Sequence, residues 1–194
     1  MEVKIVDLIR QILRSKKNIR DIEDISNIRK ELIESLNQLD SLLYLNFMDE
    51  RDYIMLAMTS VIDEFYSIET NKKNIYWDRV SLLFINEHSL GEKFYEIIDN
   101  VFLNKRMPYF VILTYYMCLS HGFVGKYYSE EKKYMLSVYK DKLLNILNEQ
   151  YPIETVPITS ILLKKNLKKR LFFTGAIICI NVCLYMFIFY QLLT

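Results

Sequence analysis

Only four of the 194 residues are glycine, three are proline, three cysteine, two histidine and one tryptophan. So few glycines and prolines exclude collagen-like, linker-rich and turn-rich all-β chains. Three cysteines supply no disulfide framework. The two histidines, His88 and His121, are too few and too far apart to define a zinc site. No P-loop, GxGxxG, GxSxG or HExxH motif occurs, and no repeat at solenoid period. The most localised absence is of charge: residues 171–194 contain no Asp, Glu, Lys or Arg.

What stands in that gap is LFFTGAIICINVCLYMFIFYQLLT, with 19 hydrophobic residues in 24. At about 1.5 Å per residue it is long enough to cross a hydrocarbon core of roughly 30 Å. Lys164, Lys165, Lys168, Lys169 and Arg170 stand immediately before it. The positive-inside rule keeps such a cluster, and everything N-terminal to it, in the cytoplasm. The segment therefore reads as a tail anchor with its C-terminus on the far side, and its position excludes a removable signal peptide. Residues 1–163 then hold twenty basic and 24 acidic residues, net −4. A mildly acidic domain does not suit nucleic acid, whereas the basic cluster suits anionic lipid head groups. In the anchor, Gly175 allows close approach and Asn181 a hydrogen bond across helices, which leaves a homodimer open. Cys179 and Cys183 share a helix face there, as lipid-facing filler, a helix contact or a palmitoylation site.

The remainder reads as helices. Ile19, Ile22, Ile25, Ile28, Leu32, Leu36, Leu39 and Leu43 recur at steps of three and four, one apolar face of a long helix. Asp49 is placed to cap a second helix over Tyr53–Tyr66. Trp77, Val80, Leu83 or Phe84, and Glu87 fall at helical spacing, and a short helix is expected over about 91–103. Pro108 opens PYFVILTYYMCLS, apolar nearly all round and hence central. Gly122 and Gly125 break it. Ser129 is placed to cap a last helix, with Glu130 and Glu131 in its first turn. Met135, Tyr139, Leu143 and Leu147 form its buried face, and Pro152 and Pro157 end it. Short connections imply antiparallel neighbours in an all-α packing.

Catalytic constellations are thin. His88 and Glu92 are four apart and fit a surface ion pair or cap as well as a metal site. His121, ending an apolar helix, fits a favourable charge at the helix C-terminus. Asp63 and Glu64 adjoin an apolar run, but consecutive helical residues point about 100° apart and make no facing dyad. Pairing with a helix N-terminus or a basic side chain suits them better. Cys118 reads as a small buried hydrophobe. No metal and no cofactor is implied, and a membrane-tethered enzyme using Asp63, Glu64, Glu87 or Glu92 is the weakest function class.

Three of the four glycines fall in HSLGEKFYEI and CLSHGFVGKYY. Scarce glycine at such places suggests positive φ or close packing. In order along the chain stand Asp63 and Glu64; Trp77; Gly91, Glu92, Phe94 and Tyr95; and Tyr116, Cys118, Leu119, Gly122, Phe123, Gly125, Lys126 and Tyr127. This series, over about residues 25–130, resembles the DotU/TssL/IcmH family of type VI and type IVB secretion. Leu90 departs from that family's Gly-Gly pair, and Val124 stands where an acidic residue is common. The resemblance implies two small packed helical bundles forming a hook-like cytoplasmic domain (1–151), a linker and basic segment (152–170) and one transmembrane helix (171–194). It implies a non-enzymatic scaffold of the bacterial inner membrane. The expected partners are a TssM/IcmF-like membrane protein and TssK-like and TssE-like baseplate proteins. Its motif residues are then expected to shape a cleft rather than perform chemistry. Fifteen tyrosines, each a large contact area with a polar tip, suit such interfaces. The alternative is a tail-anchored Bcl-2-like regulator that binds amphipathic helices in an apolar groove.

Overall fold

The computed structural model describes residues 1–15, 22–85, 87, 89–103, 105–129 and 133–152, residues 22 and 23 by their backbone alone. These residues form one compact unit, Met1–Pro152. His88, Glu130, Glu131, Pro157, the basic cluster at 164–170 and the apolar segment at 171–194 lie outside the described residues. Among the described residues every regular element is helical, as the composition requires, and no helix is long and apolar enough to cross a membrane.

The elements are α1 (Glu2–Arg14), α2 (Ile22–Asn46), α3 (Met48–Asn71), the single turn α4 (Ser81–Phe84), α5 (Leu90–Glu96), α6 (Tyr109–Ser120) and α7 (Tyr134–Gln150). A π-helical turn, Ile97–Val101, continues α5, and a 3₁₀ turn, Gly125–Tyr127, follows α6. The three- and four-residue steps of α2 are realised: Ile25, Ile28, Leu32, Leu36, Leu39 and Leu43 are all buried. In α1, Ile5, Ile9, Ile12 and Leu13 make the same kind of stripe.

Two helices are central. In α3 every residue from Ile54 to Asp63 is buried, and α6 is buried on nearly all sides from Phe110 to Leu119. Their hydroxyls avoid a desolvation penalty by bonding within the helix: Thr59 to the Met55 carbonyl (2.8 Å), Ser60 to Leu56 (2.6 Å) and Thr114 to Phe110 (2.7 Å). Helix α3 packs on α2 and α6, and α6 packs on α1, α3 and α7. The two bundles expected from the sequence therefore share one continuous core, because α3 and α6 belong to both sides.

Helices α2 and α3 form a hairpin around the single residue Phe47. Arg51 meets Asp40 near the turn (2.6 Å), and Arg29 meets Asp78 at the far end (2.6 Å). Helix α7 runs back along α6, since Gln150 and Tyr151 bond the backbone around Met107. By contrast α3 and α6 run parallel: Tyr115 bonds the Tyr53 carbonyl, Cys118 lies on that of Ala57, and Glu64 receives the amide of Val124. The antiparallel arrangement expected of helices joined by short connections is seen for α2 with α3 and for α6 with α7; the central pair α3 and α6, separated by residues 72–108, is not covered by it.

Several local expectations are corrected. Helix α3 begins at Met48, so Asp49 lies in its first turn, where its charge still opposes the helix dipole favourably; the cap position is Phe47. The helix also continues past Tyr66 to Asn71. The stretch 76–87 is not a helix but one turn, with Leu83 exposed, for a reason given below. Helix α7 starts at Tyr134 with Lys133 as its cap residue, not after Ser129. Its buried face comprises Tyr139, Leu143, Ile146 and Leu147, with Met135 half-buried.

Candidate functional site

The apolar run of α3 ends in two carboxylates whose helical phases send them to different loops. Asp63, 5% exposed, accepts three hydrogen bonds. One oxygen takes the indole N–H of Trp77 (2.8 Å) and the amide of Val80 (2.8 Å), and the other takes the amide of Ser81 (3.0 Å). Val80 and Ser81 open α4, so Asp63 sits at a helix start, the pairing the sequence favours. The same three donors explain why 76–87 is not a longer helix. The chain bends around the carboxylate, and buried Trp77 stacks on Tyr66 (centroids 4.9 Å apart). Glu64 takes the amides of Val124 (2.8 Å) and Gly125 (2.6 Å). These are charge-assisted bonds from orphan backbone donors. Both carboxylates therefore act as acceptors that fix backbone.

The glycines lock the second loop to α5. A Cβ on Gly91 would lie 3.2 Å from the Gly125 Cα, and one on Gly125 would lie 3.0 Å from the Gly91 carbonyl oxygen. Gly125 also has φ +53°, and Gly122 turns the chain out of α6 with φ +94°. Leu90, which replaces the family's first glycine, is buried at the start of α5, so the close approach is carried by Gly91 alone. The Val124 departure also leaves its contacts in place, because both are made by main chain: its amide donates to Glu64 and its carbonyl accepts from the Tyr95 hydroxyl (2.9 Å).

Aromatic rings fill the space behind this junction. Phe94 packs on Phe123 (4.5 Å) and Tyr115 (4.5 Å), and Tyr95 packs edge-on to Tyr127 (4.7 Å) and Tyr139 (4.7 Å). The Lys126 ammonium lies 5.5 Å and 5.3 Å from the ring centres of Tyr95 and Tyr127. Burial, helped by the charge of Glu64, pushes the Tyr95 hydroxyl well above the usual phenol range. A network the sequence does not announce runs from these rings out to the half-buried pair Asp99 and Lys142. Tyr127 donates to Tyr139 (3.3 Å), Tyr139 to Asp99 (2.7 Å), and Lys142 to the other Asp99 oxygen (2.6 Å). Burial first, and then its bonds to Tyr127 and Asp99, raise the Tyr139 hydroxyl too.

In front of the junction is an open cleft of about 490 Å³, whose walls include Glu64, Ile68, Arg79, Leu90, Glu92 and Tyr128. Of the sequence-predicted residues, Asp63, Glu64, Gly91, Glu92, Phe123, Gly125 and Lys126 line it. Trp77, Phe94, Tyr95 and Tyr127 support its walls, and Gly122 shapes a turn. Tyr116 is half-buried on α6 and does not line the cleft. His121 is the C-cap residue just after α6, its Nδ1 2.9 Å from the Met117 carbonyl oxygen. Cys118 is fully buried. Arg79, Ile68 and Tyr128 were not singled out by sequence; the position of Arg79 beside Trp77 was the available signal. Among the described residues no group of His, Cys, Asp and Glu is placed to hold a metal ion.

Comparison with known proteins agrees with this geometry. A family model described as type VI secretion system protein DotU matches residues 4–193. Among solved structures, DotU from Francisella novicida is similar at 25% identity and a TM-score of 0.65, covering 75% of this chain and 97% of that one. A search of curated proteins found no match. The family match runs through both carboxylates, the glycine junction and the aromatic wall and on to residue 193, and the chain belongs to the DotU family of type VI secretion system proteins.

Proposed function

We propose that this chain is a structural inner-membrane subunit of a type VI secretion system that joins the membrane complex to the cytoplasmic baseplate. Family membership makes it a component of that system and makes its partners other components. The finer reading assigns residues 1–151 to a cytoplasmic domain, 152–170 to a linker with the basic cluster, and 171–194 to a transmembrane anchor. A TssM/IcmF-like protein is the membrane partner, and TssK-like and TssE-like proteins meet the cleft side.

One observation carries this reading. The cleft lies at the end of the core opposite the point where the chain leaves α7. Glu64 is sixteen residues along α3 from Met48, about 24 Å at 1.5 Å per residue. Pro152 follows Tyr151, which packs on Tyr109 at the start of α6, beside the Met48 end. Within the unit Met1–Pro152 the most constrained surface is therefore the one remote from Pro152. Asp63 and Glu64 are spent on main-chain amides and an indole, as in a scaffold, which leaves neither as a proton shuttle. The Bcl-2-like alternative has no support, and Trp77 is buried on Asp63 rather than exposed in a groove.

The test is affinity capture of the full chain from detergent-solubilised membranes, with and without Glu64→Gln. Wild type is expected to retain both TssM-like and baseplate proteins, and the variant to lose chiefly the baseplate ones. Equal retention of baseplate proteins by the variant would refute the cleft assignment.

A further inference from the structure

The end of the core where the chain exits α7 carries a second surface. Tyr44 and Leu45 close α2, and Met48 opens α3; all three are exposed, Leu45 at 77%. Phe47 between them packs edge-on to Phe110 (4.7 Å), which brings the first turn of α6 and exposed Tyr109 alongside. Tyr109 in turn meets Tyr151, and Gln150 bonds the Phe102 carbonyl, so exposed Leu103 borders the same end. Exposed large apolar side chains singly are ordinary, but here several gather around the residue at which the chain departs.

Cations stand among them. Arg106 lies over the Tyr151 ring (5.3 Å) and bonds the Gln150 carbonyl, and Lys105 is exposed beside it. Asp49 and Glu50 in the first turn of α3, Asp52 beside them and Glu149 near the end of α7 outweigh these cations, so this end is mildly acidic. A nucleic acid or strongly acidic partner is therefore a poor fit. Tyrosine, leucine and methionine with interspersed cations fit the head-group layer of a bilayer, where amphipathic rings and long stems settle with polar tips in water. Only eleven residues, 153–163, separate Pro152 from the lysines at 164 and 165, and the charge-free segment begins at 171.

We propose that this exit end, through Tyr44, Leu45, Met48, Leu103 and Tyr109, rests on the lipid head-group layer of the membrane. The contact rests on the anchor reading above. It orients the domain with its cleft facing away from the bilayer. Because the contact is made by aromatic and apolar side chains and not by a basic patch, it does not need anionic lipid.

The test uses the full chain reconstituted into phosphatidylcholine vesicles with acyl chains brominated near the head group. Two variants are compared, L45W and Y128W, since Tyr128 is exposed at the cleft end. Trp77, buried on Asp63, adds the same background to both. The L45W chain is expected to lose at least about half of its added emission to the brominated lipid and to shift to the blue; the Y128W chain keeps its emission. Protein that floats with the vesicles and resists alkaline washing, yet shows no excess quenching in L45W, overturns this proposal and leaves the anchor reading intact. Protein that washes off overturns both. Self-cross-linking of a Leu45→Cys chain through position 45, in a background with Cys118, Cys179 and Cys183 replaced by serine and at high dilution in lipid, assigns the face to a second copy and overturns the bilayer contact.

Discussion

Replacing Asp63 by alanine removes three acceptor contacts from a nearly dry site, and the chain's single tryptophan reports the result. The indole N–H of Trp77 and the amides of Val80 and Ser81 lose their partner together. A buried donor left unsatisfied costs about 1–3 kcal/mol, and bonds to a charged acceptor stand at the upper end. The three are not additive, because the loop 76–81 relaxes outward and water satisfies some of them. A net loss of about 3–5 kcal/mol follows, the range for breaking a buried charged contact from one side. Against a total stability of about 5–15 kcal/mol that is a large fraction. Asp63→Asn is gentler: its oxygen can still serve Trp77 and Val80, but its amide nitrogen faces the Ser81 N–H, donor to donor. About 1–3 kcal/mol is expected there. The assay is denaturant unfolding of the full chain in detergent, read by tryptophan emission under native conditions and through the transition. Asp63→Ala should red-shift the native emission, since Trp77 leaves its seat on Tyr66. Glu64→Gln should not, since Glu64 holds the other loop. An Asp63→Ala chain with unshifted emission and stability within about 0.5 kcal/mol of wild type, the range of neutral surface changes, would refute this account.

The glycines separate crowding from backbone strain. Gly91→Ala places a Cβ 3.2 Å from the Gly125 backbone, which must shift to admit it, and should cost about 1–3 kcal/mol. Gly122→Ala meets no atom within 4 Å but must hold φ +94°, for about 1–2 kcal/mol. Gly125→Ala carries both burdens and should be the worst; equal denaturation midpoints for all three would contradict the close approach. Stability should also fall at alkaline pH. Burial raises the Tyr95, Tyr115 and Tyr139 hydroxyls above their ordinary value near 10. The folded state favours the neutral phenol, so this contribution is complete below about pH 10 and is lost as pH rises beyond it. Phenolate absorbance should show these three ionising only with unfolding, and a titration complete before loss of helical circular dichroism would contradict their burial.

Much of the helical scaffold is legible in sequence because it is periodic. The α2 stripe from Ile25 to Leu43 and the all-round apolar run after Pro108 need no tertiary information. The partner of Asp63 is legible in kind, because a carboxylate ending an apolar run must find donors, but not in identity. The donors are main-chain amides and an indole fourteen to eighteen residues away, and their demand suppresses the helix that the spacing of 77–87 predicts. Likewise Glu64 finds amides beside a glycine, for which the only sequence signal is the glycine itself. The Asp99–Tyr139–Tyr127 network is illegible because it depends on a π-helical turn, whose wider winding leaves no period in the sequence.

The parallel arrangement of α3 and α6 has a consequence for the order of folding. Helices α1, α2 and α3 can pair as they emerge, since their contacts are local. Glu64, however, waits sixty residues for its amides, and Tyr53 waits sixty-two for Tyr115. Until 109–127 are made, α3 carries an exposed apolar surface, and Glu64, unlike Asp63, has not yet met its amides. Distant closure of this kind slows a helical domain relative to a simple up-and-down bundle. The cleft is therefore completed late, and a nascent chain stalled before residue 109 should be the form that chaperones hold.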